Sequence, residues 1–223
     1  MNSPESHPAL RKEFARFAQE FIAPRAGESD RTSTLDPAVI DALRKRQFLG
    51  GFLPRTCGGL GMDQMTYGLL TGEIARACSA TRTLLTVHGL VATAVLRWGS
   101  NETQSEWLPE LASGRQLAAF ALSELGAGTD AGAIETTMRR DAGDWILSGE
   151  KAWVSFGQTA DVFLLFGRCV DGVAAVLLPG DCRNLVRHPV TTMVGTRAGM
   201  MAHLRLDECR VPARMIIDRK SVV

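Results

Sequence analysis

A glycine-rich bend in the middle of the chain contains the residues best suited to bind a ligand. Its sequence is Phe120-Ala-Leu-Ser-Glu-Leu-Gly-Ala-Gly-Thr-Asp130, in which an apolar run changes abruptly to polar residues and glycine. Glycine lets the backbone adopt a positive φ and lets a ligand come close to main-chain N–H groups, and successive N–H groups can form a concave anion site. Ser123 and Thr129 add hydroxyl donors at the two ends. The pattern predicts a buried strand that ends in an anion-binding bend, although an ordinary β-turn would use the same residue types.

The sequence after the bend argues against a nicotinamide dinucleotide fold. That fold needs Gly-x-Gly-x-x-Gly between a strand and a helix. Here Gly126-Ala-Gly128 is followed by strand-like sequence, so a cofactor would have to be held in a different way.

The cysteines and histidines do not predict a metal site. The five cysteines form no Cys-x-x-Cys pair, and the four histidines are scattered without ligand spacing. An odd number of cysteines without such a pair favours reduced thiols, which are typical of a cytoplasmic protein.

Charge and composition exclude further classes of protein. The net charge of +1 gives no basic field that would attract nucleic acid. The content of 45% hydrophobic and 22% charged residues is typical of a packed globular protein. No apolar run reaches the roughly 18 residues of a membrane span, and the first residues lack the pattern of a signal peptide. We therefore expect a cytoplasmic protein that does not enter a membrane.

The first half of the sequence has helical spacing. Apolar residues at intervals of three and four predict amphipathic helices. The predicted helices cover residues 8–22, 37–47, 63–77, 81–98 and 102–113. Asp36, Asp63 and Asn101 are the predicted N-caps, and Pro109 is expected to interrupt or end the last helix. His88 lies on the most apolar helix and is interpreted as a core histidine rather than a catalytic one.

The second half of the sequence has short apolar runs separated by turn signals, among them Ala142-Gly-Asp144 and Ser148-Gly149. The predicted strands cover residues 117–122, 134–138, 145–147, 152–155, 162–166, 173–178, 185–190 and 203–206. Strands at intervals of about ten residues are typical of a β-barrel or sandwich. We therefore predict an α+β protein with an all-helical domain over residues 1–115 and a β-barrel domain over residues 116–223.

Five blocks of the sequence resemble those of the acyl-CoA dehydrogenase flavoprotein family, in the same order and at similar spacing. Ala121-Leu-Ser-Glu-Leu-Gly-Ala-Gly-Thr-Asp130 resembles the family signature Ala-Leu-Thr-Glu-Pro-x-Ala-Gly-Ser-Asp. Leu147-Ser-Gly-Glu-Lys-Ala-Trp-Val-Ser-Phe-Gly157 resembles the block Leu-x-Gly-x-Lys-x-x-Ile-Thr-Asn-Gly. The other blocks are Leu53-Pro-Arg-Thr-Cys-Gly-Gly-Leu-Gly-Met-Asp63, segment 104–111, and the segment from Gly195-Thr-Arg197 to Cys209-Arg-Val-Pro212. The resemblance covers essentially the whole chain.

The resemblance implies that FAD is the cofactor. The residues that it implies for cofactor binding are Phe120, Leu122, Ser123, Gly128, Thr129, Trp153, Val154 and Ser155. A flavin is a broad apolar plate with a polar edge, which suits a strand surface carrying an aromatic ring and a few hydroxyls.

The family pattern also implies a part for individual residues of the first block. Phe120 and Leu122 would lie along the flavin, and the Ser123 hydroxyl would hydrogen-bond the edge of the isoalloxazine. Gly128 and Thr129 would donate hydrogen bonds to the pyrophosphate.

In the second block, Trp153 would pack on the isoalloxazine ring. Ser155 would approach N5, the atom that accepts hydride, and Val154 lies between these two residues. The protein would tune the ring through hydrogen bonds of this kind, while the cofactor supplies the chemistry.

The chain departs from the family at some of these positions. Leu125 replaces the usual proline, and Ser123 and Ser155 replace threonines. Phe156 stands where asparagine is common, and Gly199 where serine is frequent. Each serine keeps the hydroxyl but loses a methyl group, and one hydrogen bond contributes only about 1 kcal/mol net. We therefore expect flavin binding to be weakened rather than abolished.

Two alternatives remain open at this point. The chain could be a non-catalytic scaffold that binds acyl carrier protein or a partner subunit and retains a degenerate flavin site. It could also be related to flavin monooxygenases or nitroalkane oxidases, because a fold does not fix the chemistry.

The resemblance implies a catalytic glutamate outside residues 1–223. In the family, a C-terminal four-helix domain supplies that glutamate, covers the flavin and makes most subunit contacts. No acid of this chain matches it, because Glu124 and Asp130 belong to the bend and Glu73 is interpreted as structural. We therefore expect no catalytic residue in this chain, and a helical domain or second subunit that completes an oligomeric enzyme.

The implied reaction is the dehydrogenation of an acyl thioester. The glutamate would remove a proton α to the carbonyl, and hydride would pass from the β-carbon to flavin N5. The acyl chain would lie between the helix over residues 81–98 and the flavin. The segment Met200-Met-Ala-His-Leu204 resembles members found beside polyketide pathways, which implies acyl carrier protein as an alternative to CoA and a short, oxygenated acyl group.

Overall fold

A computed structural model describes residues 7–218, which form helices as far as Ser113 and strands from Ala118 onward. The helices are α1 His7–Phe17, α2 Ala23–Thr32, α3 Pro37–Lys45, α4 Gln64–Ala77, α5 Ser79–Trp98 and α6 Asn101–Ser113. The strands are β1 Ala118–Ala121, β2 Thr137–Asp141, β3 Asp144–Val154, β4 Val162–Cys169, β5 Gly172–Pro179, β6 Leu185–Pro189, β7 Ala202–Val211 and β8 Ile216–Asp218. The predicted order of a helical part followed by a β part is confirmed.

The helix starts follow local capping chemistry at two of the three predicted positions. Asp36 Oδ1 accepts a hydrogen bond from the N–H of Ala38 at 2.8 Å, and Asp63 Oδ1 accepts one from the N–H of Thr66 at 2.7 Å. The predicted cap at Asn101 is wrong by one residue, because the Ser100 hydroxyl caps α6 instead.

Helix α6 continues through Pro109, contrary to the predicted interruption. Proline removes one backbone hydrogen bond and crowds the preceding turn. Leu108 and Leu111 on either side are buried in the core, and this tertiary packing keeps the segment helical.

The first predicted helix is ten residues too short. A π-helical turn, Ala18–Ile22, joins α1 directly to α2. Pro24 lies just after this turn and lacks the N–H that would bond back into it, and irregular turns of this kind are expected beside a proline. The ring of Phe48 packs edge-on against Phe14 and Phe17 and fixes this part of the helix.

The strands form an eight-stranded mixed sheet in the order β6-β7-β3-β2-β4-β5-β8, with β1 paired to β4. Strand β1 runs parallel to β4, and β5 runs antiparallel to it. Every residue of β4 from Val162 to Gly167 is buried. Strand β4, the neighbour of β1, is thus hydrogen-bonded to another strand along each of its edges.

Strand β3 corrects the sequence prediction. The segments 145–147 and 152–155 were predicted as separate strands with a turn at Ser148-Gly149, whereas β3 runs without a break from Asp144 to Val154. Gly149 has φ of +143°, and a Cβ there would lie 2.7 Å from Thr136 Cα. Glycine at this position therefore permits a close approach of two strands rather than a turn.

Strand β2 is also displaced from its prediction. It covers Thr137–Asp141 rather than residues 134–138, and Ile134 is buried outside the strand. The predicted turn at Ala142-Gly-Asp144 is present, and positive φ at Ala142 and Gly143 is the pattern of a tight β-hairpin.

The hydrophobic core continues from the helices into the sheet. Val91 and Val95 of α5 and Leu108 of α6 belong to the same buried cluster as β1, β4 and β5. A second contact joins the two parts at Arg197, whose guanidinium donates to the Asp30 carboxylate at 2.8 Å. No gap in the core marks a boundary, so the division into residues 1–115 and 116–223 stays a prediction.

None of the helices between residues 7 and 218 combines the length and apolarity that crossing a membrane requires.

Candidate flavin site

Two sequence blocks that lie 20 to 30 residues apart meet on one surface of the sheet. The N–H of Ala152 in β3 donates a hydrogen bond to the carbonyl oxygen of Ser123 at 2.8 Å. The ammonium group of Lys151 donates to the carbonyl oxygen of Leu122 at 3.0 Å. The segment that leaves β1 therefore lies beside the end of β3.

The Glu124 carboxylate anchors the glycine-rich bend. It accepts hydrogen bonds from the backbone N–H of Glu135 at 2.6 Å and of Thr136 at 3.0 Å. The Thr136 hydroxyl donates at 2.6 Å, and the Lys151 ammonium donates at 2.7 Å. These four donors fix the carboxylate between β2 and β3, so Glu124 has a structural part within the bend to which the sequence assigned it.

The ion pair of Glu124 and Lys151 is shielded from solvent, since the side chains are 9% and 0% exposed. Burial raises the pKa of Glu124, but the hydrogen bonds from Lys151, Thr136 and Glu135 outweigh it, and the pKa is lowered overall. Burial also lowers the pKa of Lys151, although the Glu124 carboxylate opposes this effect. The 2.7 Å contact between the two groups holds each of them in place.

The bend itself is a compact turn. The N–H of Ala127 donates to the Glu124 carbonyl at 3.3 Å, and the N–H of Glu124 donates to the Ala127 carbonyl at 2.8 Å. Neither Gly126 nor Gly128 uses the positive φ that glycine permits. A Cβ at either glycine would meet no atom within 4 Å, so the glycines instead leave the outer surface of the turn open.

The predicted site residues occupy different depths. Phe120 in β1 is half-buried, and its ring lies 5.1 Å from that of Phe166. Leu122 packs against the core, whereas Gly128 and Thr129 are exposed. Val154 is 1% exposed, so its side chain belongs to the core and only its backbone is available to a ligand.

Trp153 has the most unusual conformation of the predicted residues. Its φ of +58° lies in the left-handed region, which costs a residue other than glycine roughly 1–2 kcal/mol. Its side chain is 50% exposed. The indole packs edge-on against the imidazole of His203 with ring centres 4.7 Å apart. The backbone thus presents a large aromatic surface to solvent at an energetic cost.

Three of the predicted site residues carry hydroxyl groups. Within residues 7–218, the side chains of Ser123, Thr129 and Ser155 have no hydrogen-bond partner in the protein. The structure places the backbone of Ser123 beside β3 and Ser155 directly after the last residue of β3. These hydroxyls are available to a ligand.

A cavity of about 410 Å³ lies beneath the bend. Glu124, Lys151, Gly126, Ala133 and His203 are among the residues that line it. Glu124 and Lys151 of this cavity are paired with each other, and Glu135 and Glu150 also line it.

A second groove of similar volume, about 410 Å³, lies between α4 and α5. Phe52, Tyr67 and Leu90 contribute much of its apolar lining. The Thr86 and Thr93 hydroxyls on its wall donate to helix carbonyls one turn earlier at 3.0 and 2.8 Å. The threonine hydroxyls are therefore occupied, and the apolar part of the lining favours an apolar guest.

Two titratable groups outside the site have structural partners. His88 is fully buried, accepts the N–H of Ala118 on Nδ1 at 3.1 Å and lies 2.9 Å from the Leu111 carbonyl through Nε2. Glu73 accepts from Arg11 Nε at 2.7 Å. The interpretation of His88 and Glu73 as structural groups is supported by these contacts.

The part of the chain that the structure describes has no cluster of three or more histidine, cysteine, aspartate or glutamate side chains that could hold a metal ion. The five cysteines are unpaired.

Sequence reasoning missed the residues that hold the site together. Lys151 and Glu124 occupy the two recognised blocks, but nothing local in the sequence indicates that they pair across 27 residues. In the sequence, His203 is one of four scattered histidines, and its contact with Trp153 depends on the alignment of β3 with β7.

Comparison with known families identifies the chain. Residues 4–115 match the family described as "Acyl-CoA dehydrogenase, N-terminal domain", and residues 119–209 match "Acyl-CoA dehydrogenase, middle domain". The chain therefore belongs to the acyl-CoA dehydrogenase family, as the sequence blocks predicted.

Individual relatives are similar over nearly all of the chain. The mouse short-chain specific mitochondrial acyl-CoA dehydrogenase is 30% identical over 225 residues, which cover 98% of this chain and 55% of the relative. The probable acyl-CoA dehydrogenase fadE25 of Mycobacterium leprae is 28% identical and is covered to 56%. The chain thus spans about half the length of these curated relatives.

A solved structure has the same fold. The glutaryl-CoA dehydrogenase of Mycobacterium smegmatis, in complex with FADH2, superposes with a TM-score of 0.91 at 28% identity. The superposition covers 96% of this chain and 56% of that chain.

Proposed function

We propose that this chain forms the helical and β parts of an FAD-dependent enzyme that dehydrogenates an acyl thioester. The observation that carries the proposal is the meeting of the two flavoprotein blocks, fastened by the Ala152–Ser123 and Lys151–Leu122 hydrogen bonds. Membership of the acyl-CoA dehydrogenase family supports it.

The residues at this surface fit a flavin. The site combines a half-exposed indole at Trp153 with the unpartnered hydroxyls of Ser123 and Ser155, which match an apolar ring with a polar edge. The open surface at Gly128, with Thr129 next to it, suits a pyrophosphate that approaches the backbone.

Each residue has a defined task in this proposal. Phe120, Leu122 and the Val154 backbone line the flavin, Trp153 packs on its ring, and Ser123 and Ser155 hydrogen-bond its polar atoms. FAD, when bound, supplies the two-electron acceptor for the oxidation of the substrate. The protein groups orient the cofactor and exclude water from it.

The groove between α4 and α5 is the proposed place for the acyl chain. Its threonine hydroxyls are occupied within the helices, so an apolar chain loses no hydrogen bonds on entry. The thioester is carried by CoA or by acyl carrier protein. The second carrier is proposed because residues 200–204 resemble members of the family found beside polyketide pathways.

The proposal requires a glutamate from a C-terminal helical domain or from a second subunit. The Glu124 carboxylate is already engaged, since it accepts four hydrogen bonds, one of them from Lys151. The working enzyme is then an oligomer or complex, in the cytoplasm, with the helical part over residues 1–115 and the β part over residues 116–223.

The test is a titration with FAD, followed by the flavin absorption spectrum. It uses the polypeptide or complex in which the chain occurs. We expect stoichiometric flavin that is bleached by an acyl-CoA or an acyl carrier protein thioester. Trp153→Phe should weaken FAD by about fivefold or more, which corresponds to about 1 kcal/mol of ring contact.

Trp98 provides the matched control, since it is also 50% exposed but lies at the end of α5. Trp98→Phe should leave the affinity for FAD unchanged. Flavin that binds but is not reduced by either thioester would favour the non-catalytic scaffold. Absence of flavin binding in the complete assembly would refute the proposed site.

A further inference from the structure

The indole of Trp153 lies at a β-bulge. Lys151 of β3 pairs with Leu204 of β7, and Val154 pairs with Ala202. Between these pairs, Ala152 and Trp153 stand opposite a single residue, His203. A bulge of this kind re-aims side chains and is frequent beside functional sites.

The protein core does not fix the orientation of this indole. Trp153 is 50% exposed, so half of its surface touches no protein atom. The imidazole of His203 packs against it at 4.7 Å with the ring planes inclined by 68°. An edge-to-face pair has a preferred geometry that restricts how the exposed ring can turn.

Hydrogen bonding of its Nδ1 does not explain why a histidine occupies position 203. Its Nδ1 is buried and has no hydrogen-bond partner among the described residues. Its cross-strand neighbour on β6 is His188, which is exposed. The contact with the Trp153 ring therefore links the His203 side chain to the proposed site.

We propose that His203 is a positioning residue for the flavin, and that its ring holds the indole of Trp153 in the orientation that receives the isoalloxazine. This proposal rests on the proposed FAD site. His203 acts through Trp153 and takes no part in a chemical step.

Three variants separate the aromatic contact from other effects. His203→Ala removes the ring, and His203→Phe replaces it with another flat ring. His188→Ala is the matched control, because His188 lies opposite His203 on the neighbouring strand. Should His203→Ala fail to fold, His203→Leu takes its place, since leucine fills similar space without a ring.

The first measurement is the affinity for FAD together with the flavin absorption maximum. We expect His203→Ala to weaken FAD by roughly two- to tenfold, the range of an aromatic pair, and to shift the absorption maximum. His203→Phe should restore both values to near those of the wild type, and His188→Ala should change neither.

The second measurement does not need flavin. Fluorotryptophan NMR of the protein gives one resonance for Trp153, which is assigned by its loss in Trp153→Phe. We expect this resonance to shift and broaden in His203→Ala, as the indole becomes mobile, and to stay sharp in His203→Phe.

The two measurements distinguish the possible failures. A wild-type protein that binds no FAD would refute the proposed function, whereas the resonance would still report whether His203 orders the indole. If FAD binds and neither the resonance nor the affinity responds to His203→Ala, the positioning role is refuted and the flavin site stands. Loss of affinity in His203→Phe equal to that in His203→Ala would also overturn the proposal.

Discussion

Acidification should destabilise this protein through His88. The Nδ1 atom accepts the N–H of Ala118, so the imidazole must be neutral, and its Nε2–H donates to the Leu111 carbonyl. Protonation would put a second proton where the Ala118 N–H already points. Complete burial lowers the pKa of His88 from its ordinary 6.5 to about 4, against weaker opposing effects of the Leu111 hydrogen bond and Asp161.

The sign of the effect follows from the two pKa values. The unfolded chain binds the proton more tightly than the folded chain, so the contribution of His88 to stability is complete above the unfolded pKa of 6.5 and is lost as the pH falls toward about 4. The linkage relation gives a loss of roughly 2 kcal/mol between about pH 7 and about pH 5. By about pH 4 the loss should approach 3 kcal/mol.

Urea denaturation monitored by tryptophan fluorescence measures this effect. The midpoint should fall with the pH while the slope with urea stays constant. Glu124 should not add to the change in stability above about pH 5. Its pKa lies below the ordinary 4.5, so its carboxylate stays charged there and continues to stabilise the fold.

The variant His88→Gln isolates the histidine, because glutamine can hydrogen-bond but does not titrate in this range. It should be less stable than the wild type at neutral pH, by about 1–3 kcal/mol for a buried polar group left unpaired. Its stability should then fall less between about pH 7 and about pH 5, by roughly 2 kcal/mol relative to the wild type. An equal fall in both proteins would refute the buried, neutral imidazole.

Two further predictions concern the residues that hold the bend and the sheet. Glu124→Ala leaves the Lys151 ammonium buried without its carboxylate and should lower the free energy of unfolding in urea by about 3–5 kcal/mol. The control is Glu135→Ala, at an exposed residue that contributes only its backbone N–H to the carboxylate and should therefore cost little. Equal losses in the two variants would contradict the buried ion pair. Gly149→Ala places a Cβ 2.7 Å from Thr136 Cα at a φ of +143°. It should therefore lower the thermal unfolding midpoint more than Gly143→Ala, because Gly143 has a positive φ but no atom near the position of the added Cβ. Similar midpoints for the two variants would show that the structure relaxes around the Gly149 contact.

Local chemistry explains why much of the fold is predictable from the sequence. Asp36 and Asp63 cap helices because the acceptor and the donor are only two or three residues apart. Where two adjacent residues could both cap, as at Ser100 and Asn101, the sequence does not decide between them. At Pro109 local chemistry gives the wrong prediction, because packing of α6 in the core outweighs the tendency of proline to end a helix.

The site is less predictable because its supports act over long distances. Gly149 was predicted as a turn, since nothing near it in the sequence reveals the approach of Thr136. The contact of Trp153 with His203 requires the bulge, which depends on the pairing of two strands about 50 residues apart. The flavin residues themselves were assigned by resemblance to a family, and the structure adds how they are supported.

The uninterrupted core between the helices and the sheet affects how such proteins can be recombined. Val91, Val95 and Leu108 pack in one cluster with residues of β1, β4 and β5. If the helices came from one relative and the sheet from another, the side chains at their shared core would not be complementary in shape. Each large-to-small mismatch there would lower the free energy of unfolding by about 2–5 kcal/mol. Chimeric enzymes joined between Ser113 and Ala118 should therefore need compensating substitutions in α5 and α6 before they fold.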